Sequence, residues 1–397
     1  MMFSIPTWLL VIPILGFLVL IHELGHFITA KKFGIKVTEF GFGFPPKIYS
    51  IKKGETEYSI NLIPLGGFVR MLGEEDPTDP RSFARQSGIK RSIVLVAGSF
   101  VNLILPVIIF SILLILPHDT INGDIAISSI APGSPAARAG LESGDIITSV
   151  NETQIRSTQD LISEISKNLG QKTQFTIKKT NQIAGFTSSA EFSNLQSIEL
   201  TPRKSPPKLK VVEKINDPTT EILISDAQKY IKSIQVGDIM SQGAIGVLIS
   251  TQNAKTIKTS LKIWEAIPNA FSQVLEIFSL TFGGIQTMIS QGENPGFTGP
   301  IGIAQVTGEV AKIGVRPIFE LIALLSISLG ILNLLPIPAL DGGRLLFVII
   351  EKVRGGKKVS PEKEGLIHLI GFVVLISLVL LMSYFDIVRI ISGSSIL

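Results

Sequence analysis

Four stretches of the chain are apolar for long enough to cross a membrane, and this limits the possible folds more than any other feature. They run approximately over residues 5–30, 93–116, 318–335 and 366–391. About 20 helical residues span the ~30 Å of bilayer hydrocarbon, where only helices and closed barrels satisfy their own backbone. Composition agrees. Charged residues make up 17% of the 397, against roughly 25% in soluble domains, which is too few to cover the chain with a water-facing surface. Pro13 and Pro106 fall inside the first two stretches, so neighbouring helices must take up the carbonyls they free. The first stretch lacks the basic start and small-residue cleavage site of a signal peptide, and reads as a retained helix.

Basic residues set the orientation. The connection after the first stretch carries Lys31, Lys32, Lys52, Lys53, Arg81 and Arg85, and the connection before the fourth carries Lys352, Arg354, Lys357 and Lys358. Both are expected on the cytoplasmic side, with the long middle region outside. The expected organisation is an N-terminal membrane half (1–117), an extracytoplasmic domain (118–252) with an insertion near 204–243, and a C-terminal membrane half (253–397). In the middle domain, short alternating strands at 125–130, 146–150, 175–177, 197–200 and 244–249 flank a helix at 158–168. The Lys- and Pro-rich stretch 202–214 reads as an insertion or a flexible loop. Residues 264–289 read as an apolar helix interrupted at Pro268, Gly283 and Gly284, lying at the membrane surface or against the bundle. The net charge is only +4. The lipid bilayer is the expected partner surface, and no nucleic acid is.

Between the first two stretches, residues 57–63 alternate like a strand, Pro64, Gly66 and Gly67 turn the chain, and 68–71 can return. Residues 41–44 could begin the same small sheet. Such a hairpin is unstable alone, so it is either an ordinary cytoplasmic hairpin or one that leans into the protein.

The chemistry is concentrated in His22-Glu23-Leu24-Gly25-His26. Histidines four apart share one helix face and can reach one ion, and the glutamate beside them can take a proton from water. Two histidines and a glutamate in an apolar span are costly to desolvate unless something compensates. Cysteine is absent and only four histidines exist, so a third ligand is best sought among acids. Asp341 follows Pro336 and Pro338 and precedes Gly342 and Gly343, a turn able to aim it back into the bundle. Alternatively, Asp341 caps the helix that begins near Gly342. The remaining histidines, His118 and His368, lack a motif partner.

His22-Glu23-x-x-His26 in the first span, with Asn333-x-x-Pro336-x-Pro338-x-Leu340-Asp341-Gly342 in the third, resembles the bacterial site-2 protease family. These are intramembrane zinc proteases related to the regulator-of-sigma-E protease. Gly98-x-x-x-Asn102 and the 58–70 hairpin also match pieces of that pattern. The resemblance implies that His22, His26 and Asp341 bind one zinc ion per chain and that Glu23 is the general base. It further implies that Asn333, Asn102 and the hairpin residues Tyr58, Ile60, Gly66 and Gly67 meet the substrate. Residues 130–147, with Pro132-Gly133-Ser134 and Gly144-Asp145, are similar to the core of a PDZ domain, whereas the best-known relatives carry two. The implied fold is an α-helical membrane protein of about four transmembrane helices, a cytoplasmic membrane-associated β-hairpin and one extracytoplasmic α+β PDZ domain able to bind a ligand peptide. The implied place is the bacterial inner membrane, multi-pass. The implied partners are single-span membrane proteins, such as anti-sigma factors or remnant signal peptides. Two rivals stand beside this reading: a catalytically silent PDZ scaffold, and a metal-ion transporter.

Overall fold

The computed structural model describes residues 6–74, 76–179, 195–215, 217, 220–228, 235–237, 239–291 and 299–392. Parts of the expected insertion, at 216, 218–219, 229–234 and 238, lie outside the described residues. The chain divides into two compact units, one formed by residues 1–117 and 260–397, the other by 118–259.

The first unit begins with a 3-10 turn (Thr7–Leu10) and α1 (Val11–Lys32), followed by β1 (Val37–Lys53), β2 (Thr56–Met71) and α2 (Gly88–Ile115). Pro13 sits in the first turn of α1, where a missing N–H costs little. Pro106 lies inside α2 and leaves the carbonyl of Asn102 without its helical donor. The hydroxyl of Ser326 donates to that carbonyl at 2.7 Å. The backbones of α1 and α2 meet at Gly25, where a side-chain carbon would stand 2.8 Å from the carbonyl carbon of Ala97. On α2, Phe100, Ile104, Ile108 and Ile112 recur every fourth residue and are 40–57% exposed. A one-sided apolar stripe of this kind suits contact with hydrocarbon.

β1 and β2 form one bent antiparallel sheet. Phe40 pairs with both Tyr58 and Val69, and Gly41 with both Ser59 and Phe68. β2 therefore flanks the start of β1 on both sides, having turned at Gly66, whose φ of 97° favours glycine. Ile60 pairs with Phe42 on one side and Tyr49 on the other. Buried Ile35, Val37, Met71, Val94, Leu95 and Val348 fasten this sheet to the helices.

The second unit contains β3 (His118–Ile130), α3 (Pro135–Arg138), β4 (Ile146–Val150), β5 (Thr153–Gln154), α4 (Thr158–Lys167), β6 (Thr173–Lys178) and β7 (Leu195–Leu200). These are followed by β8 (Lys208–Val212), β9 (Glu221–Leu223), α5 (Ile224–Ala227), β10 (Ile239–Ser241) and β11 (Val247–Thr259). Its main sheet has the order β11-β3-β4-β6-β7, with β5 beside β4. Ile125, Ile147, Phe175, Ile177 and Leu161 fill the core beneath it. Ser157 and Asp160 form a capping box at the start of α4. Asp145, 2% exposed, accepts from the Glu142 N–H and pairs with Lys179. The described parts of 208–241 are more than a loop: β10, β8 and β9 form a separate sheet over Leu209, Val211, Ile222, Ala227 and Met240.

The chain returns to the first unit with α6 (Ile263–Gln291), α7 (Pro300–Ile313), α8 (Val315–Leu334), α9 (Asp341–Val353) and α10 (Pro361–Ile391). α6 runs through Pro268, Gly283 and Gly284 as one helix, where interruptions were expected. Ala270 and Val274 of α6 pack with Ile109, Phe110 and Leu113 of α2 and Ala323 and Ile327 of α8. Packing against two neighbours supplies what the local breakers remove. Among the described residues, four helices are long and apolar enough to cross a membrane: Thr7–Lys32 with its leading turn, Gly88–Ile115, Val315–Leu334 and Pro361–Ile391.

Candidate metal centre

α1 presents His22 and His26 one turn apart, both buried, at 4% and 5% exposure. Asp341 is the first residue of α9, and its side chain does not cap that helix. It points at the histidines instead. His22 Nε2 lies 2.9 Å and His26 Nε2 3.1 Å from Asp341 Oδ2, and the two Nε2 atoms are 3.1 Å apart. Among the described residues, these three form the one group of metal-ligating side chains whose donor atoms all converge. Bonds of ~2.0–2.1 Å to a tetrahedral ion set ligand atoms ~3.3 Å apart, so the donor spacing suits zinc.

The main chain shapes the site. His26 Nδ1–H donates to the Val94 carbonyl at 2.7 Å, which leaves Nε2 with its lone pair turned inward. His22 Nδ1 faces the Asn102 amide at 3.5 Å. Gly98 leaves the room both rings occupy, since a side-chain carbon there would stand 2.8 Å from His22 Nε2 and overlap His26 Nε2.

Beside the cluster lies a cavity of about 410 Å³, lined by Glu23, His26, Asp341, Arg344 and the Gly67–Met71 edge of β2. Gly67 rests against Glu23, whose Cγ would be 3.3 Å from a carbon added there. Arg344 Nη1 pairs with Glu74 at 3.0 Å, both on the cavity wall.

The sequence-derived site residues separate into three groups. His22, His26, Asp341 and Glu23 come together, with Asn102 against His22, fully buried. Gly67 reaches the cavity, and Gly66 makes the turn before it. Tyr58 and Ile60 sit inside the sheet with partners on both sides, and half-buried Asn333, on the last turn of α8, is outside the cavity lining. Sequence reasoning missed the Val94 carbonyl, which carries no side-chain signal. It also missed Arg344, although a charge three residues after Asp341 on the same helix face was a readable signal.

Two histidines and a carboxylate beside a glutamate make up the donor chemistry of a hydrolytic zinc site. The chain belongs to peptidase family M50, whose model matches residues 10–378. It is similar to the regulator of sigma-W protease RasP of Bacillus subtilis, 29% identical over 467 residues, covering 97% of this chain and 99% of that protein. A Clostridium acetobutylicum protein, named as a candidate zinc metalloprotease, is 32% identical over 387 residues, 96% of this chain and 97% of its own length. Zinc metalloprotease RasP of Oceanobacillus iheyensis is 29% identical over 456 residues, 94% and 97% of the two chains. This chain is therefore an integral-membrane zinc metalloprotease of the site-2 type. The silent scaffold and the transporter are set aside.

Proposed function

We propose that His22, His26 and Asp341 hold the zinc, with Glu23 as the general base of peptide hydrolysis within or beside the bilayer. The supporting observation is the convergence of three donors from residues up to 319 apart in sequence, with Glu23 on the wall of the same cavity. Zinc in such a site polarises the scissile carbonyl and makes water nucleophilic near neutral pH. Glu23 takes a proton from the attacking water and passes it to the leaving amine. The Val94 carbonyl keeps His26 in the tautomer that frees Nε2. Asn102 Oδ1 is buried without a hydrogen-bond partner. Turning that amide over lets Oδ1 accept from His22 Nδ1–H. Asn102 is therefore assigned to orienting His22, in place of a substrate contact.

A helical substrate hides its carbonyls in its own hydrogen bonds and must unwind to be cut. The outer edge of Gly67–Met71 offers replacement bonds to an extended segment by strand addition. Gly66 and Gly67 set that edge, Tyr58 and Ile60 support it from inside the sheet, and Asn333 is reserved for the substrate backbone at the end of α8. Residues 118–259 act as a PDZ-like domain outside the cytoplasm of a bacterial plasma membrane. A groove of about 210 Å³ between Leu161, Ile162 and Ile165 of α4 and residues Gly243–Val247 suits an apolar peptide end. The substrates are single-span membrane proteins, anti-sigma factors or remnant signal peptides. The sigma-W regulator among the relatives supports that class.

Elemental analysis of purified variants tests the ligand set. His22→Ala, His26→Ala and Asp341→Ala lose zinc, and His118→Ala keeps it. Full occupancy in Asp341→Ala would remove it from the set. Orientation is tested with single cysteines at Lys53, Lys357 and Ser143, since the chain has none of its own. An impermeant thiol reagent should label only the last in intact cells; labelling at Lys53 would invert the topology.

A further inference from the structure

Asp341 opens α9, so its position depends on the loop of residues 335–340 that precedes it. Within that loop, the N–H groups of Ile337 and Leu340 bond only to the loop's own carbonyls, at Leu335 and Ile337. Ala339 differs. Its φ is 76°, a left-handed conformation that a residue with a Cβ adopts only when its surroundings hold it there. Its N–H donates to Nδ1 of His368, on α10, at 2.9 Å. The His368 ring is itself braced against Phe347 of α9, with centroids 5.4 Å apart.

One turn further along α10, Gly371 meets the same loop. A side-chain carbon there would stand 2.7 Å from the Pro338 carbonyl oxygen and overlap the proline ring. α10 thus holds the loop at two adjacent residues, through a hydrogen bond at Ala339 and close packing at Pro338. Apart from bonds to the flanking helices α8 and α9, the Ala339 bond is, among the described residues, the loop's one main-chain hydrogen bond to another element.

We propose that His368 is a positioning residue of the metal centre. By accepting the Ala339 N–H it fixes the left-handed turn that delivers Asp341 Oδ2 to His22 and His26. This rests on the proposed role of Asp341 as a zinc ligand. His368 Nδ1 acts as acceptor, so its proton sits on Nε2, and the residue works without touching metal or substrate. A loop freed at Ala339 swings Asp341 away from the histidine pair, and the metal is held by fewer donors for part of the time.

The test is the rate at which the purified full-length chain in detergent releases zinc to a chelating dye, alongside cleavage of a membrane-anchored reporter. His368→Ala should release zinc roughly tenfold faster, the scale on which groups behind metal ligands act. His368→Asn, which places its carbonyl oxygen near the Nδ1 position, should release it at close to the wild-type rate. His368→Gln, which places the oxygen near Nε2, should behave like His368→Ala. Should His368→Ala not fold, the Asn and Gln variants carry the comparison. Wild-type release from His368→Ala or His368→Gln would overturn the assignment. Equally fast release from Asn and Gln would also overturn it, leaving the ring as packing against Phe347. Asp341→Ala, run in parallel, separates the two levels. If it too holds zinc as firmly as wild type, the ligand set itself fails; if it loses zinc while His368→Ala does not, only the positioning role does.

Discussion

Gly98 of α2 lies flat against His22 of α1, so close that a side-chain carbon on the glycine would stand 2.8 Å from the imidazole Nε2. The same carbon would overlap Nε2 of His26, one turn along. Alanine is the better helix former by about 0.5–1 kcal/mol, so Gly98→Ala should leave α2 intact. The added methyl must instead displace the two imidazoles. Zinc affinity should fall roughly 10- to 100-fold, as when the support of a ligand is lost. Competition with a chelator measures it, with far-ultraviolet circular dichroism as the check on folding. Wild-type affinity in a folded Gly98→Ala chain would show that the rings have room to move.

Glu23→Gln separates chemistry from binding. The amide keeps the side chain's size and its place beside Gly67, but it cannot take a proton. Zinc content and substrate capture should persist while kcat falls by about 10²- to 10⁴-fold. Single-turnover cleavage with zinc analysis on the same sample checks this. A variant that loses its zinc would make Glu23 a part of the metal's support instead.

Much of this centre is legible in the sequence because its side chains repeat or break a local pattern. His22 and His26 share a helix face by spacing alone, and the prolines and glycines around Asp341 announce a turn. Pro64, Gly66 and Gly67 likewise mark where β2 bends. What stays hidden depends on partners far along the chain. The position of Tyr58 and Ile60 inside the sheet follows from β2 flanking β1 on both sides, a non-local pairing. The Val94 carbonyl acts through main chain common to every residue. Prolines and lysines around 204–214 resemble a loop, yet Leu209 and Val211 alternate with Lys208 and Lys210 over just enough residues to bury one face of β8. α6 keeps its helix through Pro268 because α2 and α8 pack against it.

The tip of the bent sheet is tied down by Glu55. Its carboxylate accepts from both terminal nitrogens of Arg81 at 2.7 Å and from Lys31 at 2.8 Å. Arg81 first and Lys31 second hold its pKa down to about 2, from an ordinary 4.5. A carboxyl with a depressed pKa contributes its stabilisation above the unfolded value and loses it as pH falls through the folded one. The contact is therefore intact across the physiological range and weakens only below about pH 4.5. Glu55→Gln should speed protease nicking at Lys52 and Lys53 by roughly two- to fivefold, the scale of a surface ion pair. The ratio of variant to wild type should be the same at about pH 5 and about pH 8. A ratio that shrinks at the lower pH would mean the carboxyl is already protonated there.

The outer edge of β2 supplies the last prediction. The Leu72 N–H turns inward to the Lys36 carbonyl, whereas the Met71 N–H turns to the Glu74 carboxylate. Strand N–H groups alternate in direction, so the Val69 N–H points away from β1, on the side that borders the cavity. Proline at 69 removes this one outward donor and leaves the pairing with β1 its bonds. Proline at Ile60, which has partners on both sides, should instead break the sheet. Val69→Pro should keep zinc and fold, and it should lose activity unevenly. A helical transmembrane substrate needs the edge to hold it extended, so its cleavage should fall at least about tenfold, the loss of roughly one hydrogen bond to a strained segment. A substrate loosened by glycine or proline at its cleavage region needs less help and should lose about two- to threefold. Cleaving both substrates side by side in detergent decides the matter. Equal losses on the two would sink strand addition and leave the Gly67–Met71 edge as a wall of the cavity alone.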